Sequence, residues 1–289
     1  MKAPSDSHAA GADPFARPHV HPAVAFYRAA RARLYVRMVG SFREPTWIIG
    51  DSLFPAFGMA AFVLLYRALG APAAYETLAV LGGILSAYWL NVLWGMGTQL
   101  YWEKQQGQLQ LYFVAPVSRM AILTGMAVGG VLTTTIRTVV GLIVGFGILG
   151  ARVPAFDPWM LAFVFVLSMV ALYALGMTLS SLFLLFGREA WHLANALAEP
   201  VYFMSGLYFP LRTLGGFGLV AACVVPLGFG VDALRQVLLG EAARGLLPLD
   251  TEIVILAVLS VGFLILARFS LAQLERISKN EGRLTQRWQ

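Results

Sequence analysis

The chain has 289 residues, of which 58% are hydrophobic and 12% charged, and its mean hydropathy is +0.72. Soluble domains carry charge on about a quarter of their residues, so these values exclude a water-soluble globular protein and predict an integral membrane protein whose apolar side chains face lipid. The net charge of +6 arises from basic residues scattered between apolar segments, which argues against a nucleic-acid-binding surface.

The first 43 residues are predicted to contain a tail and a helix. Residues 1–22 hold four prolines and three histidines without an apolar cluster, which indicates a disordered cytoplasmic tail. Residues 23–43 have the period of an amphipathic helix lying in the cytoplasmic membrane interface. Its apolar face consists of Tyr27, Leu34, Tyr35, Met38 and Phe42, its opposite face holds Arg33 and Arg37, and Arg28 and Arg31 break the pattern. Such a helix is either a topological anchor or a mechanical element.

Six apolar segments are long enough to cross a hydrocarbon core of roughly 30 Å, which needs about 20 helical residues. They cover residues 47–66, 77–101, 120–150, 159–186, 191–210 and 252–269. A shorter segment, 217–229, has 13 residues and contains Pro226, which favours a re-entrant or interfacial segment. The predicted fold is an all-α integral membrane domain over residues 23–289, with six transmembrane helices, the interfacial helix and a re-entrant segment at 211–230 before the last helix.

The distribution of lysine and arginine predicts the orientation. With six crossings and the N-terminus inside, 15 basic residues fall in cytoplasmic segments, five fall outside and Arg137 lies within a span. This asymmetry follows the positive-inside rule. If 217–229 crossed the bilayer, five C-terminal basic residues would move outside. We therefore predict a multi-pass protein of the cytoplasmic (inner) membrane with both termini in the cytoplasm.

The first predicted cytoplasmic loop, residues 102–119, has a helical pattern of its own. Gly107 permits a turn, and residues 108–115 fit about two helical turns. The apolar side of these turns consists of Leu109, Tyr112 and Phe113. Pro116 ends the short helix, and Ser118 stands where an N-cap is expected before the next span. The pattern predicts a helix that binds a partner; the alternative is that the loop packs on the chain's own interfacial helix.

Two sequence blocks resemble motifs of the ABC-2 type permeases. The first runs from Glu103 through Gly107, Leu109 and Leu111 to Ala115-Pro116-Val117-Ser118-Arg119, and is similar to the loop after that family's second helix, although Ala115 replaces the usual Ser or Thr. The second, Pro200-Val-Tyr-Phe-Met-Ser205-Gly206-Leu-Tyr-Phe-Pro210 followed by Pro226 and Arg235, is similar to its fifth-helix signature. With the predicted spans, the resemblance covers the chain from about residue 23 to its end.

The resemblance implies the permease subunit of an ABC exporter. In such transporters the first cytoplasmic loop is a coupling helix that docks on an ATPase subunit, and two ATPases serve two permeases, which would be two copies of this chain or a pair of paralogues. The ATPase interface is then expected at Glu103, Gly107, Leu109, Tyr112, Phe113, Pro116 and Arg119. Because the chain has no G-x-x-x-x-G-K-[ST] phosphate loop, no cofactor is expected in it, and ATP and Mg²⁺ would bind the partner subunit.

Three ionisable residues, Asp51, Arg137 and Glu199, lie within predicted spans, where an unpaired charge is costly and function is the first hypothesis. Glu199 precedes Pro200, which removes one helical hydrogen bond. Its carboxylate would face a subunit interface or bond across to Arg137. A structural ion pair and direct contact with cargo are both compatible with these positions.

The remaining predicted site residues follow from helix packing and from the resemblance. Glycines at 125 and 129, and at 141 and 145, have the small-xxx-small spacing of close helix contacts, either fixed or moving. By resemblance, the first and fifth spans line a dimer interface where cargo passes, with Phe54, Phe57, Tyr202 and Phe203 as candidates; the same residues would suit a lipid-facing surface. The outer gate would include Ser205, Gly206, Pro210 and Pro226.

We therefore expect the permease subunit of an ATP-driven ABC-2 exporter for a lipophilic or amphiphilic compound, drug-like, lipid or glycolipid. An ion-coupled secondary transporter would show inverted repeats and paired midplane carboxylates; no internal repeat is visible, and Glu199 is the lone acidic residue at that depth. A membrane-embedded lipid-modifying enzyme would need a catalytic cluster, yet Gly-x-Ser-x-Gly is absent and His192 and Cys223 are isolated. The expected partners are the ATPase subunits, a second permease and membrane lipid, without nucleic acid.

Overall fold

The computed structural model describes residues 21–281 except 44, 109–110, 113–116, 153–155, 187–188 and 244. In this part of the chain the secondary structure is helical and contains no strand. The tail predicted at residues 1–22 lies outside the described residues except for its last two, and Pro22 begins the first helix. The all-α fold predicted from composition is confirmed.

Ten α-helices are seen in the described ranges. They are α1 Pro22–Arg43, α2 Pro45–Ala68, α3 Ala73–Val92, α4 Gln99–Gln105, α5 Arg119–Leu142, α6 Pro158–Phe186, α7 Ala190–Met204, α8 Gly215–Val224, α9 Leu227–Leu239 and α10 Leu249–Glu281. Two π-helical turns, Leu93–Gly97 and Ile143–Ile148, extend α3 and α5, and two 3-10 turns, Leu211–Leu214 and Gly240–Ala243, follow the chain reversals beyond α7 and α9.

Five helical segments are long and apolar enough to cross a membrane. They are Ile48–Ala68, Ala73–Gln105, Arg119–Ile148, Pro158–Leu184 and Leu249–Leu274. A sixth candidate is a bent pair, Leu211–Val224 with Leu227–Leu239, whose two halves meet at 112°. The five segments correspond to the first four predicted spans and the last one.

The predicted fifth span, 191–210, has a different form in the structure. Helix α7 has 15 residues, about 22 Å at 1.5 Å per residue, and is shorter than the hydrocarbon core. It contains Pro200, which cannot donate a helical hydrogen bond, and it ends at Met204. Gly206 then turns the chain with a φ of +59°, a conformation that favours glycine. The segment is therefore a short helix followed by a turn, and not one continuous crossing.

The bent pair α8–α9 occupies the region of the predicted re-entrant segment and extends to Leu239. Pro226 directly precedes α9, where its missing N–H breaks no helical bond, and its carbonyl accepts from Gly230 at 3.0 Å. Asp232 and Arg235, which follow the re-entrant segment as predicted at 211–230, lie on α9 and are 2% and 1% exposed. The helical segment therefore continues beyond residue 230, because both charged side chains are buried within the protein.

Helix α1 packs directly against α5. A Cβ on Gly129 would stand 2.9 Å from Cδ of Arg37, and a Cβ on Gly125 would overlap the backbone oxygen of Ala30. The two glycines therefore permit the close helix contact predicted from their spacing, with α1 as the partner helix. The arginine face of α1, which an amphipathic helix would turn to water, points into the protein. The aromatic face is exposed, with Tyr35 at 68%.

Candidate functional site

A cavity of about 1220 Å³ opens among α1 to α5 and α7. It exceeds the roughly 300–1,000 Å³ of ordinary ligand pockets, which makes it large enough for a lipid-sized molecule. Five of the residues predicted for the cargo path line it, namely Asp51, Phe54, Arg137, Glu199 and Tyr202. Phe57 and Phe203 do not line it and are exposed elsewhere, and the Phe203 ring lies 5.6 Å from that of Phe209.

Arg137 is paired with Asp51 inside this cavity. Its Nη1 donates to Oδ2 of Asp51 at 2.5 Å, which joins α5 to α2. Arg137 is therefore not bonded to Glu199, the partner that the sequence suggested. The sequence could not identify the partner because all three charges lie at plausible membrane depths and only the packing of α2 beside α5 selects one. Glu199 is exposed and accepts no hydrogen bond from the part of the chain that the structure describes.

Arg33 connects α1 to the predicted coupling loop. Its Nη2 donates to Oε1 of Glu103 in an ion pair, and its Nη1 donates to the Tyr112 hydroxyl at 3.0 Å. Gln99 also donates to Oε1 of Glu103 at 3.0 Å. Burial raises the pKa of the Tyr112 phenol, so the hydroxyl stays neutral at physiological pH. Glu103 is 2% exposed, and its pairing offsets the cost of burying both charges.

This burial corrects the expectation that Glu103 faces the ATPase subunit, because its carboxylate is turned toward α1. Gly107 turns the chain with a φ of +76°, as its predicted role requires. Arg119 begins α5, while Leu111, which the prediction did not include, is 68% exposed. The predicted interface residues Leu109, Phe113 and Pro116 lie outside the described residues. Ser118 occupies the expected N-cap position of α5, but its side chain makes no capping bond.

A π-helical turn, Leu93–Gly97, connects α3 to α4 beside the cavity. Its defining hydrogen bond runs from the Thr98 N–H to the Leu93 carbonyl at 3.1 Å. Side chains from other helices hydrogen-bond to its carbonyls: Ser180 donates to Met96 at 2.9 Å, and Arg37 donates to Gly95. Turns of this kind are frequent at functional sites.

In the part of the chain that the structure describes, the hydrogen-bond partners of Arg37 are neutral. Besides the Gly95 carbonyl, it donates to Oδ1 of Asn91 at 3.3 Å, an atom that also accepts from the Tyr173 hydroxyl at 3.0 Å. Burial lowers the pKa of Arg37 to about 10, so the guanidinium remains charged at neutral pH. The sequence did not predict that Arg33 and Arg37 point into the protein. Asn91, a polar residue in an apolar span, was the sign that a polar partner is buried there.

Three tryptophans form an aromatic cluster on the cavity wall. The Trp191 ring lies 4.5 Å from that of Trp94 and 6.2 Å from that of Trp102. All three residues line the cavity. Sequence reasoning missed them, although Trp94 and Trp102 are eight residues apart, about two helical turns, and Trp191 stands eight residues before Glu199 on α7.

The residues predicted for an outer gate shape the chain reversals around α8. Gly206 and Pro210 lie in the segment between α7 and α8, and Ser205 is buried at its start. Arg235 of α9 donates to the carbonyls of Leu207 and Phe209 at 2.6 and 3.0 Å, which secures this segment. The segment includes Tyr208, which lines the cavity and stacks on Phe62 at 4.2 Å.

A comparison with known protein families finds a match. The family model for "ABC-2 type transporter" matches residues 37–239, which is more than half of the chain and extends from the last part of α1 to the end of α9. No curated protein matches the chain. The matched range contains the π-helical turn, both predicted motif blocks and all but one of the charged residues of the cavity wall, the exception being Arg33. The chain therefore belongs to the ABC-2 type transporter family, as a multi-pass membrane permease.

Proposed function

We propose that this chain is the permease subunit of an ATP-driven exporter that moves a lipophilic or amphiphilic compound outward across the cytoplasmic membrane. Family membership supports an ABC ATPase partner. ATP and Mg²⁺ bind that partner, and two ATPase subunits serve two permeases, which are two copies of this chain or a pair of paralogues. We place both termini in the cytoplasm, with α7 and the bent pair α8–α9 together returning the chain to the outer side before α10.

One observation carries the proposal: the residues that hold the coupling loop are also residues of the cavity wall. Arg33 and Glu103 both line the cavity, and Arg33 also bonds Tyr112 within the loop. A displacement of the loop by an ATPase subunit is therefore transmitted to the cavity through α1. Arg37 lies one turn beyond Arg33 and bonds the π-helical turn, so movement of α1 also reaches α3.

The cavity wall supports an amphiphilic cargo. Trp94, Trp102 and Trp191 supply apolar ring surface, while paired and unpaired charges lie on α1, α2, α4, α5 and α7. Apolar walls with a few fixed polar groups are the usual composition of small-molecule sites. A wholly apolar cargo would leave these charges unsolvated, and a wholly polar one would leave the tryptophans exposed to water.

The test is the ATP turnover of a candidate ATPase subunit, measured with and without this chain in lipid nanodiscs. We expect the wild type to co-purify with the ATPase and to change its turnover, and we expect Phe113→Ala to weaken co-purification. Arg33→Gln should keep co-purification but lose the change in turnover, because the loop then no longer drives α1. Glu76→Gln, which alters an exposed ion pair with Arg67 away from the cavity, is the matched control.

Two results would overturn the proposal in different ways. If the ATPases tested neither bind nor respond to the wild-type chain, the exporter function is wrong. If Arg33→Gln behaves as the wild type does, an ATPase partner is retained and the route through α1 is wrong.

A further inference from the structure

The cavity wall contains six acidic or basic side chains in the described part of the chain, and four of them neutralise one another. Arg33 pairs with Glu103, and Arg137 pairs with Asp51. The two that remain are Arg37 and Glu199. They differ in surroundings, because Arg37 is held between helices by two hydrogen bonds whereas Glu199 is exposed. A carboxylate that opens on a large cavity can be hydrated there, but a guanidinium enclosed in protein without a counter-charge is costly.

The Arg37 side chain is held in one position by hydrogen bonds and packing, as is typical of a residue that binds a ligand. Its Nη atoms are directed by the Gly95 carbonyl and Asn91 Oδ1, and its Cδ packs against Gly129 of α5. Its Nε is buried and has no hydrogen-bond partner in the protein. Neutral acceptors orient the guanidinium without cancelling its charge, so an anion that enters the cavity meets a preorganised cation.

We infer that the cavity binds an amphiphile with an anionic headgroup, which Arg37 recognises, while Trp94, Trp102 and Trp191 cover its apolar part. The inference rests on the proposed function, since it names the class of cargo for the cavity of that permease. Sulfate, phosphate and carboxylate heads share the chemistry that a guanidinium recognises. The tryptophan cluster lies on the same wall, next to the π-helical turn that Arg37 contacts.

The experiment uses the purified full chain in nanodiscs of zwitterionic lipid and three probes with one common tail: ω-bromoundecyl sulfate, ω-bromoundecanol and ω-bromoundecyltrimethylammonium. Bromine quenches tryptophan fluorescence on contact. Because Trp159 is exposed outside the cavity, only the saturable part of the quenching is read as binding at the cavity tryptophans. We expect saturable quenching with a midpoint about tenfold lower for the sulfate than for the alcohol, as a charge-assisted hydrogen bond would give. A stronger preference for the ammonium probe would overturn the inference and assign the headgroup site to Glu199.

Substitutions at Arg37 test the assignment to that residue. Arg37→Gln keeps hydrogen-bond donors but removes the charge, and should abolish the preference for sulfate over alcohol. Arg37→Lys should retain part of it, and Arg67→Gln, which lies outside the cavity, should retain all of it. If the preference persists in Arg37→Gln, the inference is wrong. The wild-type comparison of the three probes needs no variant, so it decides the headgroup class even if Arg37→Gln does not fold.

A bilayer lipid and an exported compound would present the same anionic head. Adding phosphatidylglycerol to the nanodiscs separates the two: competitive loss of sulfate binding identifies the lipid headgroup as a ligand, and unchanged binding identifies a free amphiphile. Co-purification of the ATPase is measured on the same samples. If an ATPase binds but the protein does not prefer the sulfate probe to the alcohol, the inference about the headgroup is wrong and the exporter function stands. If the protein prefers the sulfate probe but no ATPase binds, the exporter function is wrong and the headgroup preference stands.

Discussion

Arg33 in α1 and Glu103 in α4 form a buried ion pair across 70 residues of chain. Replacing Glu103 by Gln leaves the guanidinium in the same site without its counter-charge, and such a loss costs about 3–5 kcal/mol. We expect Glu103→Gln to lower the melting temperature of the purified protein clearly. Glu76→Gln should change it little, because the Arg67 partner is exposed and water screens the pair. Equal effects of the two substitutions would contradict the importance of the α1 connection.

The pair between Asp51 and Arg137 is expected to contribute less. The Asp51 side chain is 45% exposed, so solvent screens its attraction to Arg137. A double-mutant cycle with Asp51→Asn and Arg137→Gln, measured by thermal unfolding, should give a stabilising coupling of about 1 kcal/mol or less. The charge-exchanged double variant should be more stable than either single reversal. A coupling of about 3 kcal/mol or more would contradict this screening and indicate a buried pair.

Close contact between α1 and α5 depends on glycine. A Cβ at Gly125 would overlap the Ala30 carbonyl, so Gly125→Ala must displace α1, at a cost of about 1–3 kcal/mol for overpacking. Gly262→Ala is the matched control, since it makes the same change in the interior of α10 where nothing lies within 4 Å. We expect a lower melting temperature for the first variant and an unchanged or slightly higher one for the second. A neutral Gly125→Ala would mean that α1 is loosely held.

The proposed orientation can be tested with single cysteines in a Cys223→Ala background, because Cys223 is the chain's single cysteine. Leu69, 70% exposed between α2 and α3, should react in intact cells with a membrane-impermeant maleimide after substitution by Cys. Gln106, exposed between α4 and α5, should react after the same change only when the membrane is permeabilised. The reverse pattern would place the 102–119 loop outside and exclude its contact with a cytoplasmic ATPase.

Span length and apolar content were sufficient to predict most of the fold. The five long spans extend over 21 residues or more, so their identity does not depend on tertiary contacts. Segment 191–210 is different, since Pro200 and Gly206 divide an apolar run that looks continuous. The extent of α9 also could not be predicted, because Asp232 and Arg235 are buried and their hydrogen-bond partners cannot be identified from composition. Leu246 N–H donates to Asp232 at 2.6 Å, for example.

The sequence predicted several residues of the candidate site, but it did not predict which of them pair with each other. Asp51, Arg137 and Glu199 stand out as charges in apolar spans, and all three line one cavity. Which of them bond depends on which helices are neighbours. The direction of the α1 arginines was also beyond the sequence, because an amphipathic helix has the same periodicity whether its polar face meets water or a polar interior.

The π-helical turn at Leu93–Gly97 makes the position of the 102–119 loop depend on helix register. Each residue of an α-helix accounts for about 100° of rotation, so the widened turn determines the direction in which Glu103 projects from α4. Deleting Gly95 would rotate everything beyond the turn by roughly that angle. Glu103 would then leave Arg33, even though every contacting side chain is still present. The alignment of α4 with α1 thus depends on the number of backbone residues in the turn as well as on the side chains that meet there.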